Sequence, residues 1–185
     1  MYKKKFLDII SHDPEINEIF KILEKMHLPE ATICGGTIRN LIWNKQTGHQ
    51  SSLKLGDIDV YYKNSNQSYE NFLMTKEILA QNHSLYLWNI KNICLPARHL
   101  SHRRFYDSIE KTIADFPETA TSVGIQKSRL NGYHVIAPYG LADLFELQVS
   151  PTPNYAVGQA GHQRYQQRLT NKAWQTRWPE LTIND

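Results

Sequence analysis

The strongest constraint on the fold is a glycine pair, Gly35-Gly36, between a short β-compatible run and a helical pattern. Residues 31–34 are apolar or β-branched, and the apolar residues from Ile38 to Ile42 follow a helical period. The sequence therefore predicts a strand, a glycine turn and a helix. Such a turn can expose backbone N–H groups beside the positive end of a helix and so hold a phosphate. On its own the signal is weak, because glycine pairs also form purely structural turns.

A second motif follows in the alternating segment 56–62, which predicts a strand. Asp57 and Asp59 lie two residues apart, so they project from one face with about 7 Å between their Cα atoms, whereas Ile58 and Val60 project from the other. Paired carboxylates suit Mg²⁺ or Mn²⁺, which prefer oxygen ligands. The alternative is an edge strand that displays solvated acids. Because Asp is disfavoured in strands and a glycine turn lies upstream, we favour a metal site at Asp57 and Asp59.

The remaining pattern predicts an α+β fold, with a mixed β-sheet flanked by helices. The expected helices cover 14–27 (capped by Asp13), 69–81, 107–115, 141–145 and part of 159–177. The expected strands cover 85–90, 119–126 and 133–137, the last two around the turn dipeptide Asn131-Gly132, and 46–54 is expected to be a loop. We expect one domain over 1–185, with an N-terminal helical segment (1–30), a core (31–150) and a C-terminal extension (151–185).

Composition narrows the classes of function. The 185 residues are 41% hydrophobic and 21% charged, which is typical of a soluble folded domain. A formal net charge of +3 is too small for a DNA-coating surface but fits a polyanionic small ligand. Two cysteines without a CxxC pair, and histidines without HxxxH or HExxH spacing, argue against a disulfide framework and a zinc site. No apolar run nears the roughly 20 residues of a membrane span, so we expect a cytoplasmic protein without a membrane partner.

The order of the two motifs resembles the signature of the polymerase-β-like nucleotidyltransferases. The segment Gly35-Gly36-Thr37-Ile38-Arg39-Asn40 is similar to the glycine-turn motif of that superfamily, and Asp57-Ile58-Asp59-Val60 to its DxD strand. The rest of the chain resembles one bacterial nucleotidyltransferase-like branch, once catalogued as a domain of unknown function. The stretches that carry this likeness are 39–43, 88–92, 116–124, 137–145 and 178–181, and it spans roughly residue 31 to the C-terminus.

The resemblance implies a nucleoside triphosphate bound across the glycine turn and the DxD strand. The implied nucleotide-binding residues are Gly35, Gly36, Thr37, Arg39, Asn40, Lys91 and Asn92. For Arg39, Lys91 and Asn92, an ordinary solvent-facing position is an open alternative. The implied catalytic residues are Asp57, Asp59 and Asn89. Superfamily members usually carry a third acid where this chain has Asn89, and an amide oxygen can bind a cation but adds no charge.

The resulting hypothesis is transfer of a nucleoside monophosphate from a triphosphate to an unknown hydroxyl. The alternatives are a nucleotide-binding pseudoenzyme, which Asn89 favours, and a DxD glycosyltransferase, which the short chain and the glycine pair disfavour. The tail combines Arg164, Arg168, Lys172 and Arg177 with aromatic residues and could bind nucleic acid. A docked amphipathic helix explains it better, so a nucleic-acid acceptor is not supported.

Overall fold

The computed structural model describes residues 1–95, 107–128 and 132–185. Within them lie seven α-helices: α1 (Tyr2–His12), α2 (Pro14–Lys25), α3 (Gly35–Thr47), α4 (Tyr69–Asn82), α5 (Ile109–Ala114), α6 (Ala142–Phe145) and α7 (His162–Lys172). The strands are β1 (Thr32–Cys34), β2 (Asp57–Tyr62), β3 (Leu87–Asn92), β4 (Gly124–Ser128), β5 (Gly132–Ile136), β6 (Gln148–Val149) and β7 (Thr182–Ile183). The main sheet has the order β3-β2-β1-β4-β5, and β6 pairs with β7. The predicted α+β class with a mixed sheet is confirmed.

The sheet register brings two sequence-predicted site residues together. Strands β2 and β3 run parallel, and β1 is antiparallel to both β2 and β4. The parallel register pairs Asp59 with Asn89 and Tyr61 with Lys91. Because register partners share a face and side chains alternate along a strand, Asp57, Asp59 and Asn89 lie on the same side of the sheet.

The two faces of the sheet are covered differently. Ile58 and Val60 face the main core, which also receives buried side chains from α1, α2, α3 and α7. On the opposite face, Ile113 of α5 and Tyr61 belong to a second, smaller cluster. Asp57, at the start of β2, is exposed. Helix α5 therefore covers one part of this face and leaves the aspartate end open.

The start of helix α2 is determined by its local sequence. The Asp13 carboxylate accepts hydrogen bonds from the backbone N–H groups of Glu15 and Ile16, both at 3.1 Å, and Pro14 occupies the first position of α2. This is the predicted cap, and the predicted helix 14–27 is confirmed with an earlier end at Lys25. Helix α1 lies within the N-terminal segment (1–30) that was predicted to be helical, although the sequence pattern did not give it bounds of its own.

Helix α3 begins at the glycines themselves. Gly35 and Gly36 are its first two residues rather than a turn before it. The helix ends at Thr47, and the next residue, Gly48, has the left-handed backbone (φ 70°) that commonly stops a helix, so the start of the predicted loop 46–54 is helical. A 3₁₀ turn, Leu53–Leu55, occupies the end of that segment.

The predicted strand 119–126 is wrong in its first half. Thr119–Thr121 form a 3₁₀ turn, and β4 begins only at Gly124. The carbonyl oxygen of Glu118 accepts hydrogen bonds from the N–H groups of Thr121 and Ser122, both at 3.0 Å, which closes the turn. The alternating sequence did not reveal this turn because Glu118 is fixed by a distant residue, as described below.

The other differences are smaller. Strand β3 covers 87–92 instead of 85–90, the helix expected at 107–115 covers 109–114, and the tail helix ends at Lys172 before a 3₁₀ turn, Trp174–Thr176. Strands β4 and β5 form the expected antiparallel pair. Asn131 of the predicted turn dipeptide lies outside the described residues. Among those described, no helix has the length and apolar character needed to cross a membrane.

Candidate active site

Three elements meet at the carboxylate of Asp59 on β2. Its Oδ2 accepts a hydrogen bond from the backbone N–H of Gly36 at 3.1 Å, and its Oδ1 accepts one from the Nδ2 of Asn89 at 2.6 Å. Gly36 begins α3 and Asn89 lies on β3, so residues far apart in sequence converge on one acid. Asp59 therefore lies beside the N-terminus of α3, the end of a helix that carries a partial positive charge.

The hydroxyl of Thr37 joins α3 to β2. It donates to the backbone oxygen of Asp57 at 2.9 Å and accepts from the backbone N–H of Asp59 at 2.7 Å. Thr37 is buried. Its hydroxyl is therefore used within the protein, where it holds the start of α3 against the aspartate strand.

The two glycines allow α3 to approach Asp59 closely. A Cβ added to Gly35 would lie 3.3 Å from the Oδ2 of Asp59, and one added to Gly36 would lie 3.2 Å from the same atom. Gly35 also has φ +61°, a conformation that favours glycine.

The glycine N–H groups are engaged within the protein, which corrects part of the sequence-based expectation. Gly35 donates to the carbonyl oxygen of Val123 at 2.9 Å, and Gly36 donates to Asp59. The pair therefore does not present these two N–H groups to a phosphate. The glycines instead leave room between α3 and β2, because neither residue has a side chain.

Arg39 is buried and is not a solvated surface residue. It is 5% exposed, and its guanidinium lies 4.9 Å from the ring centre of Trp43 and 4.5 Å from that of Trp174. Nη1 donates to the hydroxyl of Thr121 at 2.8 Å, and Nε and Nη2 donate to the side-chain oxygen of Asn40 at 3.2 and 2.9 Å. Burial lowers the pKa of Arg39 to about 10, so the group is still a cation at neutral pH.

The Arg39 charge nevertheless lies close to the glycine pair. A Cβ on Gly36 would be 3.7 Å from Nη2 of Arg39. The start of α3 therefore has a carboxylate, Asp59, on one side and a buried cation, Arg39, on the other. A ligand that reaches Gly36 would meet the field of that cation at short range.

Lys91 and Asn92 lie on different faces of β3. Lys91 shares a face with Asn89, and its Nζ lies 3.2 Å from the hydroxyl of Tyr61. Asn92 points to the other side, is buried, and donates to Asn64 at 2.8 Å and to the side chain of Gln67 at 3.0 Å. Asn92 is thus not brought to the candidate site but fixes the loop that follows β2.

The donor set at the carboxylates is composed of oxygen. Asp57 and Asp59 supply carboxylate oxygens, which match the preference of Mg²⁺ and Mn²⁺, whereas Asn89 turns its amide Nδ2 toward Asp59. Each carboxylate oxygen of Asp59 accepts one hydrogen bond and has a further lone pair. The part of the chain that the structure describes holds no cluster of three His, Cys, Asp or Glu side chains suited to a metal. A cation at Asp57 and Asp59 would therefore be held by two negative charges.

Two further residues lie near the aspartates, where the sequence did not place them. The ring of Phe116 would lie 3.4 Å from a Cβ on Gly35 and packs edge-on against Tyr61, with ring centres 5.5 Å apart. Arg177 lines a small open cleft beside Asp57, together with Asn40, Ser51 and Gly56. The basic and aromatic pattern of the tail singled out Arg177 but gave no sign of where it lies.

A helix that starts with glycines and contacts an aspartate-bearing strand in this way is the arrangement expected of nucleotidyltransferases. The model of a protein family described as nucleotidyltransferase matches residues 21–183. The chain belongs to this family. A search of curated proteins gave no match.

Solved structures of CCA-adding enzymes share the fold. One, an NMR structure described as a CCA-adding enzyme head domain, is 28% identical with a TM-score of 0.87, and the match covers 98% of this chain and 95% of that one. A complex of a CCA-adding enzyme with CTP is 17% identical with a TM-score of 0.61. The Thermotoga maritima CCA-adding enzyme complexed with tRNA is 17% identical with a TM-score of 0.55. Both matches cover 98% of this chain but only 43% and 42% of those longer chains.

Proposed function

We propose that this chain transfers a nucleoside monophosphate from a nucleoside triphosphate to an acceptor hydroxyl, with pyrophosphate as the leaving group. Asp57 and Asp59 would hold a divalent cation, Mg²⁺ or Mn²⁺. When bound, the cation supplies positive charge beside the reacting phosphate. Family membership gives the reaction class, and the convergence of Gly36, Asn89 and Asp59 is the observation that best supports this site.

The residues around the aspartates fit the phosphates of a nucleotide. Gly35 and Gly36 leave room at the start of α3, where the helix end and the buried Arg39 both contribute positive potential. Lys91 adds a second cation on the face that carries Asn89. Asn40 lines the cleft beside Asp57 and could contact the ligand there. Thr37 would act as a positioning residue, because its hydroxyl joins α3 to β2.

The acceptor is left open in this proposal. The structures whose descriptions name CTP and tRNA are 17% identical to this chain, so they support the fold alone. A triphosphate substrate follows from the reaction class, whereas the hydroxyl that receives the nucleotide is not defined by any described contact. A polynucleotide, a protein side chain and a small molecule are all compatible with the site.

A second candidate is a protein that binds nucleotides without turnover. The position beside Asp59 that suits a third acid holds Asn89, whose amide donates a hydrogen bond to Asp59 at 2.6 Å. A neutral amide cannot take a proton from the acceptor hydroxyl, so the hydroxyl would need activation by metal or water. This feature favours weak or absent catalysis.

Labelled substrates separate the two candidates. The wild-type chain is incubated with each α-labelled triphosphate, Mg²⁺ or Mn²⁺, and a cell extract, and labelled RNA, protein and small molecules are separated. The double variant Asp57→Asn/Asp59→Asn is the negative control. Label transferred by the wild type alone supports the transferase. Metal-dependent binding without any labelled product supports the binding protein, and the absence of both binding and product contradicts both candidates.

A further inference from the structure

We propose that Arg177, from the C-terminal segment, binds a phosphate group of the nucleotide in the cleft beside Asp57. This inference rests on the proposed function and adds a residue to it. Arg177 lines this small cleft together with Asn40, Ser51, Gly56 and Asp57, so an arginine and an exposed aspartate border the same space. Arginine suits phosphate because its planar fork can donate two parallel hydrogen bonds.

The backbone of Arg177 is held in place although its side chain is exposed. Its N–H donates to the carbonyl oxygen of Trp174 at 3.0 Å, at the end of the 3₁₀ turn Trp174–Thr176. Trp174, three residues earlier, and Trp178, the next residue, are both buried. The chain therefore enters and leaves this position through anchored aromatic side chains, which limits how far the guanidinium can move.

The side chain of Arg177 also has a fixed platform. Its guanidinium lies 4.9 Å from the ring centre of Trp178, a distance at which a cation is attracted to an aromatic face. The indole Nε1 of Trp178 donates to the side-chain oxygen of Asn44 on α3 at 3.1 Å. Asn44 lines the same cleft. Helix α3, which begins at the glycine pair, thus also positions the platform on which Arg177 lies.

The charge of Arg177 is not engaged by a carboxylate of the described residues, unlike the charges of two lysines. Lys54 pairs with Glu15 at 3.7 Å, and Lys45 pairs with Asp13 at 3.7 Å. Arg177 forms no ion pair with any carboxylate of the described residues and is exposed to solvent. A cation that lines a cleft with one carboxylate, Asp57, and pairs with no carboxylate of the described residues suits an anion that brings its own counter-ion, as a metal-bound phosphate does.

The test compares Arg177→Gln with a matched variant, Arg164→Gln. Arg164 is an exposed cation on α7 in the same C-terminal segment, and it does not line the cleft. Glutamine keeps part of the aliphatic side chain that lies over Trp178. Thermal unfolding verifies that both variants fold. Calorimetry then measures binding of each nucleoside triphosphate with Mn²⁺, and of inorganic tripolyphosphate with Mn²⁺, to the full chain. Tripolyphosphate carries the phosphates without the nucleoside.

We expect Arg177→Gln to weaken the affinity for both the nucleotide and tripolyphosphate at least tenfold, which corresponds to about 1.4 kcal/mol of binding free energy. Arg164→Gln should bind both probes with the affinity of the wild type. Loss of nucleotide affinity with unchanged tripolyphosphate affinity would assign Arg177 to the nucleoside and overturn the proposal. So would equal affinities in wild type and Arg177→Gln. If Asp57→Asn abolishes binding while Arg177→Gln retains it, the proposed function stands and this inference fails. If the wild type binds neither probe, both fail.

Discussion

Asp57 and Asp59 lie on the same strand but have different structural roles. Both oxygens of Asp59 accept hydrogen bonds, whereas Asp57 is exposed at the cleft. Asp59→Asn replaces one acceptor oxygen by an NH₂ group, which cannot accept. We expect this variant to lose about 1–3 kcal/mol of unfolding free energy and Asp57→Asn to lose less than about 0.5 kcal/mol. Urea unfolding of both variants measures the difference.

Both substitutions should affect ligand binding alike. Each removes one of the two negative charges proposed to hold the cation, so we expect Mn²⁺-dependent triphosphate affinity to fall at least tenfold in both. Asp8→Asn, which removes the same charge from the exposed part of α1, is the matched control. Calorimetry at equal Mn²⁺ decides the question, and unchanged affinity in both variants would remove the metal site from the proposal.

Asn89→Asp tests the position that suits a third acid. From the sequence alone, the added carboxylate should tighten the binding of Mg²⁺ or Mn²⁺ and raise any transferase turnover. It should have little effect on the stability of the metal-free protein. The 2.6 Å contact between Asn89 and Asp59 changes the last part of that expectation, because it would place two carboxylates side by side. We now expect the variant to be less stable than the wild type without metal and to bind Mn²⁺ several-fold more tightly.

Thermal unfolding with and without Mn²⁺ measures both effects of Asn89→Asp. The variant should gain more stability from Mn²⁺ than the wild type does, because ligand binding to the folded state adds to its stability. Asn89→Ala distinguishes the effect of the added negative charge from that of the lost hydrogen bond, because it removes the hydrogen bond to Asp59 without adding a carboxylate. Equal Mn²⁺ stabilisation of wild type and Asn89→Asp would contradict a cation held beside this position.

Some single residues were readable from the sequence and others were not. The proximity of Asn89 to Asp59 could be predicted, because it requires only two adjacent strands. The absence of Asn92 from the site was also readable, since residues three apart on a strand face opposite sides. The burial of Arg39 was not, because it depends on Trp174, a residue of the tail. A local sequence pattern does not show a contact between residues that are far apart along the chain.

At the scale of elements, the junction between α3 and β2 controls the site. Gly35 has φ +61°, and a Cβ there would lie 3.3 Å from the Oδ2 of Asp59. We expect Gly35→Ala to cost about 1–2 kcal/mol of stability from the left-handed backbone alone. We also expect the methyl group to displace the Asp59 carboxylate and weaken Mn²⁺-dependent nucleotide binding. Urea unfolding and calorimetry measure the two losses separately.

Gly140→Ala is the control for Gly35→Ala. Gly140 has φ +78°, and a Cβ there would meet nothing within 4 Å. Gly140→Ala should therefore lose a similar amount of stability and keep full nucleotide affinity. If Gly35→Ala also keeps full affinity, the close approach of the glycine pair to Asp59 has no role in binding.

Helices and strands whose apolar residues recur at a regular spacing were predictable from the sequence. Elements that depend on contacts with distant residues were not. Helix α2 has both a local cap, Asp13, and an apolar stripe, and the sequence predicted it. The 3₁₀ turn Thr119–Thr121 instead follows Glu118, which is buried and paired with Arg168 of α7. The short strands β6 and β7 have two residues each, too few to show a period.

At the scale of the whole molecule, the two ends of the chain share one core with the sheet. Phe6 of α1 and Tyr165 of α7 are fully buried in the same cluster as Ile58 of β2. Trp43 of α3 contacts both Trp174 and Trp178 edge-on, with ring centres 6.0 and 5.1 Å apart. The residues called an extension at 151–185 therefore cover α3 directly. We propose on this basis that the chain is a single domain, as the sequence predicts.

The ion pair between Glu118 and Arg168 provides a test of that unity. Glu118 is fully buried, and Arg168 donates to its two carboxylate oxygens at 2.6 and 3.1 Å, which ties α7 to the turn before β4. Arg168→Met removes the cation and leaves the buried carboxylate without this partner, so we expect a loss of about 3–5 kcal/mol of unfolding free energy.

If the chain is one cooperative unit, Arg168→Met should lower the unfolding midpoint seen by tryptophan fluorescence and by far-ultraviolet circular dichroism equally. The double variant Glu118→Gln/Arg168→Met should recover part of the loss, because the buried charge is then absent as well. A change confined to the tryptophan signal would instead mean that the C-terminal segment unfolds on its own. In that case Arg39, which stacks on Trp174, and the cleft lined by Arg177 would depend on a separately folding part of the chain.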